Sequence, residues 1–186
     1  IVDNWKKFLP LKIDEQNECW HRMKEFHIAA SEYYAEKCLI YNIDLHSNID
    51  TLEGLRGAEK LLFDIIDTPY LIKQAMADVE KVYKKIYNTF FTLSKGQKIG
   101  TGDRCLGLYN KERFNIIAAD FISLLSPDLF RSIVLPALEE EALFLDKSCF
   151  HLDGPDALVH LNDILAIEKI DVVQWQPGEY NKPAAD

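Results

Sequence analysis

One short segment carries three side chains at the spacing that a chemical site needs: Cys149, His151 and Asp153. Because alternate residues of a β-strand point to the same face, a strand here would present all three side chains together. A histidine beside a carboxylate can act as an oriented general base or as part of a metal site. A zinc centre needs three protein ligands and one open position, so this histidine and carboxylate do not make a site by themselves. The alternative is a histidine that packs in the core.

Aspartates recur at the ends of apolar segments along this sequence. Asp44, Asp120 and Asp153 each end such a segment, and a later one carries Gln174 and Gln176. In parallel α/β proteins, sites are built where the carboxyl ends of the strands meet, so these groups are expected to converge on one pocket. Aspartate also caps helices and forms turns, and that alternative stays open for Asp120 and Asp153.

A second polar patch extends from Asp44 to Thr51 and includes His46 and Asn48. It follows a predicted strand and begins a predicted helix, whose N-terminus could hold an anionic group of a ligand. A capped turn is an equally good interpretation. The acidic run 139–141 is interpreted differently, as a solvent-exposed face of a helix without a role in a site.

Helices and short strands alternate along the chain, and they must position these residues. Hydrophobic periodicity and capping signals predict helices over about 14–36, 51–66, 70–94, 127–145 and 155–166. Short apolar runs predict strands over about 38–44, 104–109, 114–119, 148–152 and 171–176. Strands that alternate with helices of this length are expected to pair in parallel, which places the chain in the α/β class.

The composition is typical of one globular domain and excludes several classes of function. The chain has 186 residues, of which 48% are hydrophobic and 27% charged, and its formal net charge is −9. The negative charge argues against a nucleic-acid partner. No apolar run reaches the roughly 18 residues that span a bilayer, so no membrane segment is predicted. We expect a cytoplasmic protein that forms a single domain over residues 1–186.

Several short motifs follow one another between about residues 40 and 178. They are NIDTLEGLRG (48–57), DTP (67–69), Asp120, LSPDLF (125–130), VLP (134–136), FHLDGP (150–155) and VQW (173–175). Their order resembles the uroporphyrinogen decarboxylase superfamily, which includes cobalamin-dependent methyltransferases that act on thiols. The resemblance implies a (β/α)8 TIM barrel with its pocket at the carboxyl ends of the strands. Such a barrel needs about 250 residues, so we expect a partial barrel, its middle and later part.

The resemblance also implies roles for individual residues. The methyltransferase branch binds zinc through a His-x-Cys pair on a late strand and through a distant cysteine. The matching positions here are His151 and Asp153, so a carboxylate would replace the thiolate in the metal site. The decarboxylase branch has a serine near the position of Asp120. A carboxylate there would repel a polyanionic porphyrinogen, so the substrate is expected to have changed.

The leading hypothesis is a methyltransferase that resembles the corrinoid-dependent enzymes, with zinc and a corrinoid as cofactors. The catalytic residues would be Asp120, His151 and Asp153, and the pocket for a small-molecule substrate would be formed by Asp44, His46, Asn48, Tyr109 and Gln174. One alternative is a metal-free decarboxylase or lyase for a small carboxylated substrate, in which the acids transfer protons. Another is a non-catalytic protein that binds a corrinoid or another ligand. Open sheet edges in an incomplete barrel also predict a homo-oligomer, and a corrinoid protein is a further expected partner.

Overall fold

The first half of the protein is helical. The computed structural model describes residues 2–34, 37–103 and 106–178. The early helices are α1 (Trp5–Phe8), α2 (Glu18–Tyr34), α3 (Asn48–Arg56), α4 (Ala58–Asp67), α5 (Pro69–Leu93) and α6 (Gly96–Ile99). Two very short strands follow, β1 (Thr101–Gly102) and β2 (Tyr109–Asn110), and they pair in antiparallel orientation.

The second half alternates between strands and helices. Its elements are β3 (Phe114–Ala118), a 3-10 helix (Asp120–Leu124), α7 (Pro127–Leu129), a π-helical turn (Phe130–Val134), α8 (Leu135–Phe144), β4 (Lys147–Asp153), a second 3-10 helix (Pro155–His160), α9 (Leu161–Leu165) and β5 (Val172–Gln176). The three longer strands form one parallel sheet in the order β3-β4-β5. The predicted parallel pairing is therefore confirmed for these three strands.

The longest helix, α5, supplies much of the core. Its 25 residues place a stripe of apolar side chains at helical spacing against the rest of the protein, and the buried members include Ile72, Met76, Val79, Tyr83 and Phe90. Fully burying one such side chain contributes roughly 1.5–3 kcal/mol to stability, so this stripe holds the helix in place. The predicted helix over about 70–94 is confirmed.

Strand β4 has two different faces. Phe150 and Leu152 are buried in the hydrophobic core, whereas His151 and Asp153 on the alternate positions are only half-buried. This alternation follows from the two-residue period of a strand. The core residues fix the orientation of β4, and the polar residues are thereby directed to the other side of the sheet.

The expectation of a (β/α)8 TIM barrel, whole or partial, is wrong. The described residues form a mixed α/β fold with a three-stranded parallel sheet and a separate two-stranded antiparallel sheet. Residues 38–44 were expected to form a strand, but they have no strand pairing. A barrel closes only when every strand has two neighbours, whereas β3 and β5 each pair with β4 alone in the described chain.

Two other predicted boundaries differ from the structure. The single helix expected over about 51–66 is divided into α3 and α4 at Gly57, whose φ of +85° favours glycine. The strand expected over about 104–109 falls partly on residues 104 and 105, which lie outside the described residues. Within the described ranges, no helix combines the length and the apolar character required to cross a bilayer.

Candidate metal centre

The carboxyl edge of the parallel sheet brings together polar residues that are distant in sequence. His151 of β4 lies in register between Ala118 of β3 and Gln174 of β5. Asp153 ends β4, and Asp120 begins the 3-10 helix two residues after Ala118. Because parallel strands end at the same edge, Asp120, His151 and Asp153 become neighbours.

These three residues form a group that can hold a metal ion. Each offers one ligand atom, and these atoms all lie within 4.8 Å of one another. Tetrahedral zinc, with bonds of about 2.0–2.1 Å, keeps its ligand atoms about 3.4 Å apart, so modest side-chain rotations would complete the geometry. The donors would be two carboxylate oxygens and one imidazole nitrogen. This set fits zinc or another borderline divalent ion, and it contains no cysteine.

Gln174 orients the imidazole of His151. Its side-chain oxygen Oε1 is in hydrogen-bond contact with Nδ1 of His151. Because an amide oxygen only accepts hydrogen bonds, Nδ1 is the donor in this contact, and Nε2 is the ring nitrogen left to face a metal ion. A neutral imidazole with a fixed tautomer is the usual state of a metal-binding histidine. Gln174 was predicted to bind substrate, and the structure places it beside His151 as an orienting partner.

Asp50 fixes the backbone that carries Asp120. Its carboxylate accepts hydrogen bonds from the backbone N–H of Asp120 at 3.0 Å and from that of Phe121 at 3.1 Å. These contacts cap the start of the 3-10 helix and tie it to the first turn of α3. The position of Asp120 therefore depends on α3 as well as on β3.

Negative charge accumulates at this edge of the sheet. Burial raises the pKa of the Asp120 carboxyl, and the nearby carboxylate of Asp50 raises it further. Nδ1 of His46 lies 3.8 Å from Asp50, and its Nε2 lies 3.7 Å from Asp44. The contact with Asp50, reinforced by the charge of Asp44, raises the pKa of His46 above its ordinary value. A cation at this edge would relieve the repulsion among the carboxylates.

A cavity of about 390 Å³ opens beside two of the candidate ligands, Asp120 and His151, whereas Asp153 is not part of its lining. Five of the residues that were predicted to form a site line this cavity: Asp44, His46, Asp120, His151 and Gln174. Additional polar lining comes from Asn42, Asp103, Asn115 and Gln176. An ion held by Asp120 and His151 would therefore have an open coordination position that faces the cavity, where a small ligand could reach it.

Three other predicted residues are placed elsewhere. Asn48 is buried as the first residue of α3, and Tyr109 is an exposed residue of β2, where its hydroxyl donates to the carbonyl of Ile99 at 2.9 Å. Neither residue lines the cavity. Cys149 is fully buried, and this burial raises the pKa of its thiol, so it is not a ready source of thiolate.

The acidic run 139–141 was expected to be exposed, and this is wrong for its last member. Glu141 is fully buried and accepts hydrogen bonds from Oγ of Ser47 and Nδ2 of Asn48. Nδ2 of Asn48 also donates to the carbonyl of Ala118 at 3.0 Å. This network joins α8 to the start of α3 and to the end of β3. Burial raises the pKa of Glu141 to about 7.

Glu141 and Asp50 were not predicted to support the site, but the sequence contains a signal for each of them. Glu141 lies three residues after Leu138, a buried side chain of the same helix, and four before Leu145, the buried residue that follows the helix, so helical periodicity directs it to the core. Asp50 stands in the first turn of α3, where an aspartate commonly accepts hydrogen bonds from backbone amides. Its amide partners come from another segment, and only the fold reveals them.

Comparisons with protein-family models, curated proteins and solved structures give no match for this chain.

Proposed function

We propose that the protein binds one zinc ion through Asp120, His151 and Asp153 and is a zinc-dependent enzyme that activates a thiol or alcohol for methyl transfer. The observation that supports this most is the close approach of three ligand atoms, all within 4.8 Å of one another, from two strand ends of one parallel sheet. The adjoining cavity of about 390 Å³ gives an acceptor access to the site.

The roles of the protein's own side chains follow from their contacts. A bound zinc ion would supply Lewis acidity that lowers the pKa of the acceptor thiol or alcohol at neutral pH. Gln174 holds His151 in the tautomer that offers Nε2 as a ligand. Asp50 holds the backbone of Asp120 in place. Both positioning groups lie outside the three-ligand set, as supporting hydrogen bonds at metal sites commonly do.

Methyl transfer from a corrinoid is the finer part of the proposal, and it rests on the sequence resemblance. A cavity of about 390 Å³ suits a small acceptor and is far too small for a corrinoid ring. The methyl donor would therefore stay outside it, on a separate corrinoid protein in the cytoplasm. Among the described residues, β3 and β5 are the outer strands of the three-stranded sheet, and outer strands of this kind favour self-association into a homo-oligomer.

The test is the metal content of the protein, purified without chelators, beside two histidine variants. We expect about one zinc per chain in the natural sequence, by analogy with single three-ligand zinc centres. His151→Ala should lose the zinc and keep the fold, as judged by circular dichroism. His21→Ala, which removes an exposed histidine of α2, should keep the zinc.

Two results would contradict the proposal. A protein that neither retains zinc nor binds it in titration calorimetry has no such centre. A His151→Ala variant that binds zinc as tightly as the natural sequence would show that the ion is held elsewhere.

A metal-free lyase or decarboxylase is the second candidate, because burial and neighbouring charge raise the pKa of Asp120 toward a range useful for proton transfer. It would act on a small carboxylated substrate, with Asp120 as the proton donor or acceptor. In that case, the pH profile of kcat/KM should be bell-shaped, and Asp120→Asn should remove one limb. An unchanged profile in Asp120→Asn would exclude this role.

A further inference from the structure

Asn48 begins α3 in a backbone conformation that few residues other than glycine adopt. Its φ is +46°, in the left-handed region, where any residue with a Cβ is strained. Such a residue persists only where its surroundings hold it, and strained residues cluster at functional sites. Asn48 is 1% exposed, so the contacts that hold it lie within the protein.

Both polar atoms of the Asn48 side chain have partners. Oδ1 accepts from the backbone N–H of Ile49 at 2.6 Å. Nδ2 lies 3.0 Å from the carbonyl oxygen of Ala118, 3.0 Å from Oγ of Ser47 and 3.2 Å from the carboxylate of Glu141. The reversed amide would place Oδ1 against a carbonyl and a carboxylate, so the partners fix Nδ2 as the donor. Its contact with Ala118 joins the start of α3 to the end of β3.

Ala118 lies between the two strands that carry the candidate ligands. It is beside His151 in the register of the sheet, and Asp120 follows it by two residues. The carbonyl of Ala118 accepts from Asn48, and the backbone N–H of Asp120 donates to Asp50. The first turn of α3 therefore holds segment 118–120 at both ends, with a donor at one end and an acceptor at the other.

We propose that Asn48 is a positioning residue of the metal centre, because its amide fixes the carbonyl of Ala118 and thereby the turn that carries Asp120. The inference rests on the proposed zinc centre, and it gives Asn48 a role without contact to the ion. Ligands of a functional site must be held to within about 0.5 Å of the productive geometry, so a turn that is free to move costs affinity.

The experiment removes the amide with Asn48→Gly. Glycine adopts a positive φ without strain, so the path of the backbone into α3 is kept and only the side chain is lost. Titration calorimetry on the full chain at pH 7 should show zinc bound about tenfold more weakly than by the natural sequence, as is usual when a supporting hydrogen bond is removed.

Tyr87→Phe is the matched control at the opposite end of the same strand. The hydroxyl of Tyr87 accepts from the backbone N–H of Phe114 and donates to its carbonyl, both at 2.9 Å. Phe114 is the first residue of β3, as Ala118 is the last. Both variants remove buried hydrogen bonds to β3, so both should unfold at a lower urea concentration. Only Asn48→Gly should lose zinc affinity, which separates positioning from a general loss of stability.

The proposal is overturned if Asn48→Gly binds zinc as tightly as the natural sequence, or if Tyr87→Phe loses as much affinity. If Asn48→Gly does not fold, hydrogen exchange of the Asn48 side-chain amide, followed by NMR on the natural sequence, decides. Because coupling between two sites is reciprocal, bound zinc should slow this exchange, and an unchanged rate overturns the proposal.

Failure of the zinc centre is a separate result, because the natural sequence itself would then bind no zinc. In that case, the turn is tested on the metal-free protein through the backbone N–H of Phe121, which donates to Asp50 at 3.1 Å. This N–H should exchange with solvent at least about threefold faster in Asn48→Gly than in Tyr87→Phe, because the turn opens locally. Equal rates in the two variants overturn the inference.

Discussion

Aspartates have opposite surroundings at the amino edge of the parallel sheet, where its strands begin, and at the carboxyl edge, where they end. At the amino edge, Asp146 accepts from Arg113, with Oδ2 at 3.0 Å from Nε, and Asp171 forms an ion pair with Lys147. At the carboxyl edge, Asp50, Asp120 and Asp153 have no lysine or arginine partner among the ion pairs of the described residues. The parallel sheet therefore has carboxylates paired with basic side chains at its amino edge and a group of neighbouring carboxylates at its carboxyl edge.

The pKa values of the two edges differ in the same sense. The guanidinium of Arg113 holds the pKa of Asp146 below its ordinary value. Burial and the nearby carboxylate of Asp50 hold the pKa of Asp120 above its ordinary value. Paired carboxylates stabilise the fold by themselves, whereas crowded ones lower their free energy by binding a cation. The amino edge is therefore structural, and the carboxyl edge is suited to a ligand.

The largest expected effect is the loss of metal affinity when a carboxylate of the carboxyl edge is removed. Asp153→Ala should weaken zinc binding more than about a hundredfold, because losing a direct ligand costs at least as much as losing its supporting hydrogen bonds. The stability of the metal-free protein should stay equal or rise, because a repulsion with Asp120 is removed. Titration calorimetry and urea unfolding measure the two quantities.

Asp156→Ala serves as the control for this variant, because it removes an exposed aspartate three residues further along the chain. It should leave zinc affinity unchanged. Equal zinc affinity in Asp153→Ala and the natural sequence would remove the distinction between the two edges.

A buried carboxylate beneath the carboxyl edge gives the next effect. Burial raises the pKa of Glu141 from 4.5 to about 7. Between these pH values the folded protein retains a proton that the unfolded chain releases, so the free energy of unfolding falls as the pH rises. Glu141→Gln should remove this slope. At pH 8 it should be more stable than the natural sequence by on the order of 3 kcal/mol, and near pH 4.5 the two should be similar.

Urea unfolding at pH 5, 6.5 and 8 measures this difference, with Glu139→Gln as the control on the exposed face of the same helix. The control should keep the pH dependence of the natural sequence. If Glu141→Gln keeps it as well, Glu141 ionises in the folded protein at an ordinary pH, and the account of its burial is wrong.

A smaller effect is expected when the partner of His151 is removed. Gln174→Ala should weaken zinc binding about tenfold, because the imidazole is then free to rotate and to change its tautomer. Gln176→Ala, two residues further along β5, should change zinc affinity little, since its side chain has no contact with His151 among the described hydrogen bonds. Equal affinities for the two variants would show that Gln174 does not position His151.

The smallest effect belongs to the amino edge. Asp146→Ala should lower the free energy of unfolding by about 1 kcal/mol, since both partners of its ion pair with Arg113 are partly exposed and screened. Because Arg113 lowers the pKa of Asp146, this contribution should persist from neutral pH down to the ordinary pKa of 3.8 and disappear below it. Zinc affinity should not change. A loss of zinc affinity in this variant would show that the two edges are coupled.

Local patterns were sufficient to predict the parts of the fold that depend on short-range order. The stripe of α5 and the alternation along β4 follow directly from helical and strand periodicity. The convergence of Asp120, His151 and Asp153 depends further on parallel pairing, which the alternation of strands with helices indicates. The stripe and the alternation are each encoded within a few residues, whereas the convergence joins segments about thirty residues apart.

Features that depend on distant partners were not predictable in the same way. Residues 38–44 have the apolar, β-branched composition of a strand, but composition does not specify a partner strand, and they remain unpaired. The barrel expectation failed because it came from the order of motifs, which does not determine whether a sheet closes. The burial of Glu141 depends on Ser47 and Asn48, which are more than ninety residues away in sequence.

The most direct test of the central claim is an anomalous diffraction experiment at the zinc edge on crystals of the zinc-loaded protein. We expect one anomalous peak at the carboxyl edge of the sheet, from a zinc ion bonded to Nε2 of His151 and to carboxylate oxygens of Asp120 and Asp153. The absence of a peak there, or a zinc ion bonded to a cysteine sulfur elsewhere, would contradict it.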